Sequence, residues 1–382
     1  MKTRTIGRFR LIFNRMNAGL QQIFFPNDHH PAHIRALDGL RGFAVLLVMM
    51  SHASLEGLNP LPFIQMMGAG KGGVMLFFVL SAYLLDRQIT QALQQRQAST
   101  RYWANYALRR FLRIFPLFTL ALVVYWHLST LGYSTEIDSR TTLVQHLFLQ
   151  RGESIFWSIP VEFKYYLISP LILWGCQLAF NWQYPATARL LWGLLVFSVV
   201  IATAIPWSPI STLKYLPIFF LGTLAAVFQL GKPEQVASYF REKRTTIITL
   251  LTLLFAYIIL PHPLESLFGL QAKAHNAVGY GIWAFIGARL VLAVQYVKDV
   301  FKRIFEWNLL RWIGNISFSA YLFHLPILEW VLRQGSIPEF LKLPAFLLVT
   351  LLASSTTFAL VERPLSRVRL AKQRGNNSSP TA

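Results

Sequence analysis

Two ionisable residues lie within one strongly apolar segment, LDGLRGFAVLLVMMSHAS. Arg41 and His52 are 11 residues apart, and at about 100° per residue this spacing brings both side chains to within about 20° of one helix face. They are separated along the axis by about 16 Å. Burial disfavours the charged imidazole, so a buried histidine keeps a lone pair that can take a proton from a hydroxyl. The pair predicts a cationic anchor and a general base on one face; a snorkelling arginine and a hydrogen-bonded bundle histidine are the alternative.

A second basic pair begins a later apolar segment, LRRFLRIFP. Arg110 and Arg113 are three residues apart, so on a helix they share a face. Planar guanidinium groups are preferred partners of phosphate. The pair therefore indicates a phosphate-binding site, whereas simple anchoring at a membrane surface would explain one or two such arginines equally well.

Three further polar residues interrupt apolar segments: Glu162 in SIPVEFKYY, His324 in SAYLFHLPIL and Ser81 in FFVLSAYLL. An ionisable side chain inside a bilayer costs at least about 2.5–3.5 kcal/mol, so such residues are functional candidates by default. The alternatives are an ion pair of Glu162 with Lys164, a bundle histidine beside a Pro326 kink, and a Ser81 that only packs. We predict that Glu162 and His324 serve catalysis and that Ser81 hydrogen-bonds a ligand.

The segments that carry these residues are long and apolar. Of the 382 residues, 54% are apolar and 14% are charged, against about 25% charged in soluble domains. A single cysteine, Cys176, excludes an intramolecular disulfide and a cysteine-based metal site. The sequence predicts an all-α polytopic membrane bundle of about ten transmembrane helices and no separate soluble domain. The predicted spans are about 38–56, 70–86, 112–131, 155–180, 189–206, 214–230, 245–260, 277–297, 312–332 and 343–362.

The charge distribution predicts the orientation of these spans. With both termini in the cytoplasm, and with the boundary residues Lys71, Arg113, Arg189 and Lys214 counted in the adjoining segments, 26 basic residues fall in inner segments and 7 in outer ones, as the positive-inside rule expects. The formal charge of +20 is therefore a topology signal and a match to anionic lipid head groups, and no nucleic-acid partner is predicted. In this orientation Arg41, Arg110 and Arg113 lie near the inner surface. His52 and the two other ionisable residues lie at similar depth toward the outside.

The two ends of the chain differ from its middle. We predict a basic amphipathic segment at 1–33, with a surface helix over 6–25, and a polar cytoplasmic tail at 366–382. His29, His30 and His33 resemble a metal cluster but have no further ligands at useful spacing. We predict solvated loop histidines and no metal site.

Several of these segments together resemble a known family. In order along 34–365 they are IRALDGLRGFAVLLVMMSHA, GGVMLFFVLSAYLL, RRFLRIFPLF, WSIPVEFKYYLISP, FSAYLFHLPI and VERPL, and they resemble the integral-membrane acyltransferase family 3. The Arg-x10-His and Arg-x-x-Arg pairs are the specific parts, and Ala82 departs from the glycine common in the family. The resemblance implies a membrane acyltransferase domain over 34–365, in the bacterial inner (plasma) membrane.

The resemblance also implies an acyl-CoA donor, usually acetyl-CoA, and a hydroxyl acceptor on a glycan or glycolipid. It implies His52 as the essential histidine and Arg41, Arg110 and Arg113 near the donor. The separation of about 16 Å between Arg41 and His52 is comparable to an extended pantetheine arm. Glu162 or His324 would orient His52 or bind the acceptor, and a covalent acyl-His52 relay stays open.

A transporter or channel for a small anionic solute would use the same buried charges as a permeation path. Transporters tend to show repeated halves and interrupted spans in matching positions, and the sequence has neither. It gives no indication of oligomeric state.

Overall fold

The computed structural model describes residues 19, 21–26, 28, 33–60, 65–258, 277–297 and 300–370. These residues form helices and contain no strand, which confirms the predicted all-α class. The helices are α1 Arg35–Leu55, α2 Ala69–Gln94, α3 Thr100–Thr130, α4 Arg140–Leu147, α5 Ser158–Phe180, α6 Tyr184–Ala204, α7 Thr212–Gly231, α8 Pro233–Arg241, α9 Lys243–Ile258, α10 Ala277–Tyr296, α11 Val300–Phe305, α12 Asn308–Asn315, α13 Ser317–Arg333, α14 Glu339–Thr357 and α15 Arg363–Ser366. A 3₁₀ turn, Ser154–Trp157, precedes α5, and a π-helical turn, Phe358–Glu362, joins α14 to α15.

Six helical stretches within the described part of the chain are long and apolar enough to cross a membrane: α1, α2, α3, α6, α7 and the continuous stretch Glu339–Ser366. The chain is therefore a multi-pass membrane protein. Helices lie at all ten positions where spans were predicted, but ten crossings stay a prediction. The described part of α9, for example, has 16 residues, fewer than the roughly 20 that a perpendicular crossing takes.

The predicted continuous span at 312–332 is wrong in one respect. The structure divides it into α12 and α13 at Ile316, whose φ of −91° and ψ of 7° lie outside the helical region. The helix α12 lies backbone to backbone against α1, because a Cβ atom at Gly314 would overlap the carbonyl of Asp38. The depth of His324 in the bundle therefore does not follow from the rise of one continuous helix.

The helix α2 packs closely against α1 on one side and α7 on the other. A Cβ atom at Gly73 would lie 2.5 Å from the carbonyl oxygen of Ala44 in α1, and one at Gly222 in α7 would lie 2.5 Å from that of Val79. Small residues at helix contacts let backbones approach in this way. The approach fixes the residues of α1, α2 and α7 that face one another in the interior.

The N-terminal residues that are described lie against α12 and α15. Asn315 donates to the Phe24 carbonyl at 2.7 Å, Arg363 donates to the Gln22 carbonyl at 2.9 Å, and Arg311 donates to Asp28. Most of the predicted surface helix at 6–25, and the tail beyond 370, fall outside the described residues. The boundaries at 33 and 366 stay predictions.

One of the three N-terminal histidines is described, and it is not solvated as predicted. His33 lies 2.8 Å from Asp38, whose side chain is buried. Asp28, His33 and Asp38 have their ligand atoms within 4.8 Å of one another, but Arg311 donates to both carboxylates. An ion-pair network accounts for this cluster. His29 and His30 lie outside the described residues.

Candidate active site

Arg41 and His52 lie on one unbroken helix, α1, as the sequence predicts. Arg41 is half-buried and lines a narrow cavity between α1, α2, α3, α5 and α13. Phenylalanine side chains and four predicted site residues line this cavity; the four are Arg41, Ser81, Arg113 and Glu162. Residues from four helices thus meet at one place in the fold.

His52 and His324 form a hydrogen-bonded pair. His324 is fully buried, and its Nε2 lies 2.9 Å from Nδ1 of His52. The Nδ1 of His324 lies 2.8 Å from the carbonyl oxygen of Tyr321. A carbonyl oxygen only accepts, so Nδ1 of His324 carries the proton, and in a neutral ring its Nε2 then accepts from Nδ1–H of His52. This network leaves Nε2 of His52 without a proton and able to accept one.

The histidine pair adjoins the cavity through Tyr321. This tyrosine lines the cavity, and its ring centroid lies 6.1 Å from that of His324. Its hydroxyl donates to the carbonyl of Ile155 at 2.6 Å and lies 2.9 Å from Oγ of Ser158, another cavity residue. Neither His52 nor His324 belongs to the cavity wall itself. The pair therefore lies beyond one end of the space that Arg41 lines.

Glu162 is held by hydroxyl groups. Its carboxylate accepts from Ser81 and, at 2.5 Å, from the hydroxyl of Tyr166. The alternative ion pair with Lys164 is absent from the described structure, where Lys164 donates instead to the carbonyl of Ile210 at 3.4 Å. Glu162 thus places a carboxylate, with two donors already attached, in the wall of the cavity.

The two arginines of α3 have different surroundings. Arg113 is exposed and lines the cavity. The guanidinium of Arg110 lies 5.3 Å from the ring centroid of Tyr166 and 5.7 Å from that of Tyr106, a cation–π arrangement. None of the ion pairs between described residues includes either of them or Arg41. Within the described ranges, these three guanidinium groups therefore have no carboxylate in direct ion-pair contact and can still bind an anion.

A buried carboxylate that the sequence analysis did not predict lies on α2. Asp86 is fully buried in α2 and accepts from Tyr165 at 2.6 Å, from Thr223 at 2.5 Å and from Ser169. The predicted second span, 70–86, ended at this residue, whereas α2 continues to Gln94. A carboxylate inside a longer apolar helix was the signal that could have found it. Three hydroxyls on one carboxylate tie α2 to α5 and α7.

Comparison with known proteins extends the resemblance seen in the sequence. The O-acetyltransferase OatA of Staphylococcus aureus is 25% identical over 384 residues, covering 89% of this chain and 58% of that protein. The peptidoglycan O-acetyltransferase OatA of Listeria monocytogenes is 24% identical over 371 residues, covering 88% and 56%. The putative peptidoglycan O-acetyltransferase YrhL of Bacillus subtilis is 23% identical over 377 residues, covering 90% and 56%.

The chain spans a little over half the length of these curated relatives. No solved structure matches it. A family model described as an acyltransferase domain matches residues 34–361, which include every predicted site residue and the helices α1 to α14. The chain therefore belongs to the acyltransferase 3 family.

Proposed function

We propose that this protein is a membrane O-acetyltransferase. It moves an acetyl group from cytoplasmic acetyl-CoA to a hydroxyl of a cell-surface glycan, with peptidoglycan or a glycolipid precursor as the acceptor class. The observation that carries the proposal is the arrangement along α1. Arg41 lines a cavity with unpaired positive charge, and His52, three helical turns away, presents an imidazole nitrogen that can accept a proton.

The donor binds at the arginine end. Coenzyme A has a phosphate-rich head, and guanidinium groups form short charge-assisted hydrogen bonds to phosphate. Arg113 is exposed at the cavity and Arg41 lies deeper, so the head binds to both while the thin pantetheine arm enters between α1, α2 and α3. Arg110, placed between tyrosine rings, adds to the field. Ser81 reaches the arm only by exchanging its bond to Glu162.

The transfer step needs a base and no redox chemistry. Nε2 of His52 takes the proton of the acceptor hydroxyl as its oxygen attacks the thioester carbonyl. The new C–O bond forms, the C–S bond breaks, and the proton passes to the leaving thiolate. The products are the acetyl ester and free coenzyme A thiol. His324 holds His52 in the productive tautomer. Glu162, in the wall of the cavity, binds the acceptor.

Purified protein in nanodiscs, given acetyl-CoA with a labelled acetyl group and glycan strands, tests this proposal. We expect label on the glycan and an equal amount of free thiol. His52→Ala should keep the protein folded and able to bind acetyl-CoA but abolish both products. Full transfer by that variant would contradict the mechanism, and labelled solute flux across proteoliposomes without thiol release would favour an anion transporter.

The orientation is part of the proposal. The concentration of basic residues in the segments assigned to the cytoplasm supports this orientation. In it, the arginine end of the cavity faces the compartment where acetyl-CoA is available. The termini are then cytoplasmic and the protein lies in the bacterial inner membrane. Single reporter cysteines, placed in predicted inner and outer loops of the Cys176→Ala protein, should react with an impermeant reagent on opposite sides of sealed vesicles.

A further inference from the structure

A lysine–aromatic cluster lies at the end of the bundle opposite the arginines. We define it as Lys71, Trp157, Lys214 and Tyr215. The ammonium of Lys71 lies 4.9 Å from the ring centroid of Trp157, and that of Lys214 lies 5.6 Å from the ring centroid of Tyr215. The two rings are 5.1 Å apart. Both rings also contact Phe78, which lines the cavity, so the cluster covers the cavity at this end.

The cluster lies beside the histidine pair. Lys71 follows Gly70, where a Cβ atom would lie 3.1 Å from the Cβ of Ser51, the residue before His52. Trp157 precedes Ser158, whose hydroxyl bonds to Tyr321 one turn before His324. Two independent backbone connections therefore bring the cluster to the same end of the cavity as His52.

The positive charge of this cluster is not neutralised by the described residues. Lys71 and Lys214 lie close enough for their like charges to repel, and neither takes part in any ion pair found in the described ranges. A ring face holds an ammonium in place for about 0.5–1 kcal/mol but carries no net charge. Two like charges close together beside a cavity favour an anion between them.

We propose that Lys71 and Lys214 bind an anionic group, a carboxylate or a phosphate, on the acceptor glycan. This inference rests on the proposed function, because it names the acceptor class of that same site. The phosphates of coenzyme A are an unsuitable occupant, since Arg41, which would bind them, lies about 16 Å along α1 from His52, beside which the cluster lies. Lipid head groups are disfavoured because Lys71 lies over Trp157, a 9% exposed residue of the interior.

Two forms of the glycan acceptor, which differ only in whether one carboxylate per muramic acid is charged, test the inference. Peptidoglycan strands stripped of their peptides expose the carboxylate of muramic acid, and methyl esterification of the same strands removes it. Lys71→Gln and Lys214→Gln remove each ammonium while retaining side-chain length. Lys232→Gln is the matched control, because Lys232 lies over the ring of Tyr184 at 5.5 Å in another part of the bundle.

We expect each substitution in the cluster to raise KM for the acidic strands about tenfold, which is the effect of one lost charge-assisted hydrogen bond. KM for the methyl ester should stay within about twofold, and Lys232→Gln should match the unsubstituted protein with both acceptors. An equal KM for the two acceptors, or one unaffected by either substitution, would overturn the inference.

Binding measured without catalysis separates this inference from the proposed function. The His52→Ala protein in phosphatidylcholine nanodiscs should bind acidic strands, and adding Lys71→Gln should weaken that binding about tenfold. Lysine-dependent binding, together with no acetyl transfer by the unsubstituted protein, would sink the proposed function and retain the anion site. Acetyl transfer by the unsubstituted protein, with strand binding that does not depend on charge, would overturn the anion site and retain the proposed function. Lysine-dependent retention of phosphatidylglycerol, with none of the strands, would assign the cluster to lipid and overturn the inference.

Discussion

Replacing His324 by leucine removes the acceptor that fixes the tautomer of His52. In the structure Nδ1–H of His52 donates to Nε2 of His324, whose own Nδ1–H is fixed by the Tyr321 carbonyl. Leucine is apolar and of similar volume, so the variant leaves little empty space but gives Nδ1–H of His52 no partner from that side. The proton is then free to move to Nε2, the nitrogen that must be bare for base catalysis.

The hydrogen bond sets the size of the effect. A neutral hydrogen bond contributes about 1 kcal/mol net, and 1 kcal/mol is about a fivefold change in tautomer population. The imidazole also loses its fixed orientation, and misplacement of a catalytic group by about 1 Å can cost about 100-fold. We therefore expect kcat to fall between about fivefold and 100-fold, with KM for acetyl-CoA within about twofold, because the arginine end of the cavity is untouched.

Thiol release and acetyl transfer by His324→Leu and His324→Gln in nanodiscs measure this effect. Glutamine carries an amide oxygen that can accept from His52, so it should retain more activity than leucine. Nitrogen-15 spectra of labelled histidine should show a protonated Nδ1 at His52 in the unsubstituted protein and a mixture of tautomers in His324→Leu. Unchanged kcat in His324→Leu, or an effect confined to KM, would refute the reasoning.

Three further predictions concern binding and stability. Arg41→Ala should raise KM for acetyl-CoA about tenfold or more with a smaller change in kcat, because a charge-assisted phosphate contact contributes about 1.5–3 kcal/mol; an unchanged KM would remove Arg41 from the donor site. Asp86→Ala removes an acceptor shared by Tyr165, Ser169 and Thr223, of which Thr223 still has the Phe219 carbonyl and Tyr165 still has the Thr223 hydroxyl; it should therefore lower the free energy of unfolding by about 1–3 kcal/mol, measured by chemical denaturation in detergent, and unchanged stability would contradict a role for Asp86 in tying α2 to α5 and α7. Gly222→Leu should reduce the yield of folded protein because its Cβ meets the backbone of α2, whereas Gly193→Leu, with nothing within 4 Å, should not.

The sequence predicted the features that depend on one segment. Apolar runs long enough to span a bilayer gave the position of each long helix, and α1 is unbroken between Arg41 and His52 as its periodicity implied. Gly73 allows the close approach that small residues in a span suggest. The distance from Arg41 to His52 is a property of helix geometry, so it needed no tertiary information.

Contacts between segments that are distant in the chain could not be predicted from the pattern of each segment alone. His52 and His324 are 272 positions apart, and Ser81 and Glu162 are 81 apart. Depth in the membrane indicated that the ionisable groups lie at one level, but depth alone does not give the angle around the bundle at which each side chain points. The hydrogen bonds among them depend on that angle.

Two local features also went against expectation. Arg110 and Arg113 have the spacing of a shared helix face, yet Arg113 lines the cavity while Arg110 lies over the rings of Tyr106 and Tyr166. A long flexible side chain can follow a neighbouring aromatic ring away from the direction of its Cβ atom. The break at Ile316 carries no proline or glycine of its own, so no residue at that position indicated it.

The central claim is that the donor reaches from the arginine end of the cavity to His52, which lies beyond its other end. A structure of the full chain in a nanodisc with a non-hydrolysable acetyl-CoA analogue tests this directly. The account predicts the phosphates of the analogue on Arg41 and Arg113, and the acetyl carbonyl beside Nε2 of His52. An analogue whose phosphates bind elsewhere, or whose acetyl group lies away from the histidine pair, would contradict it.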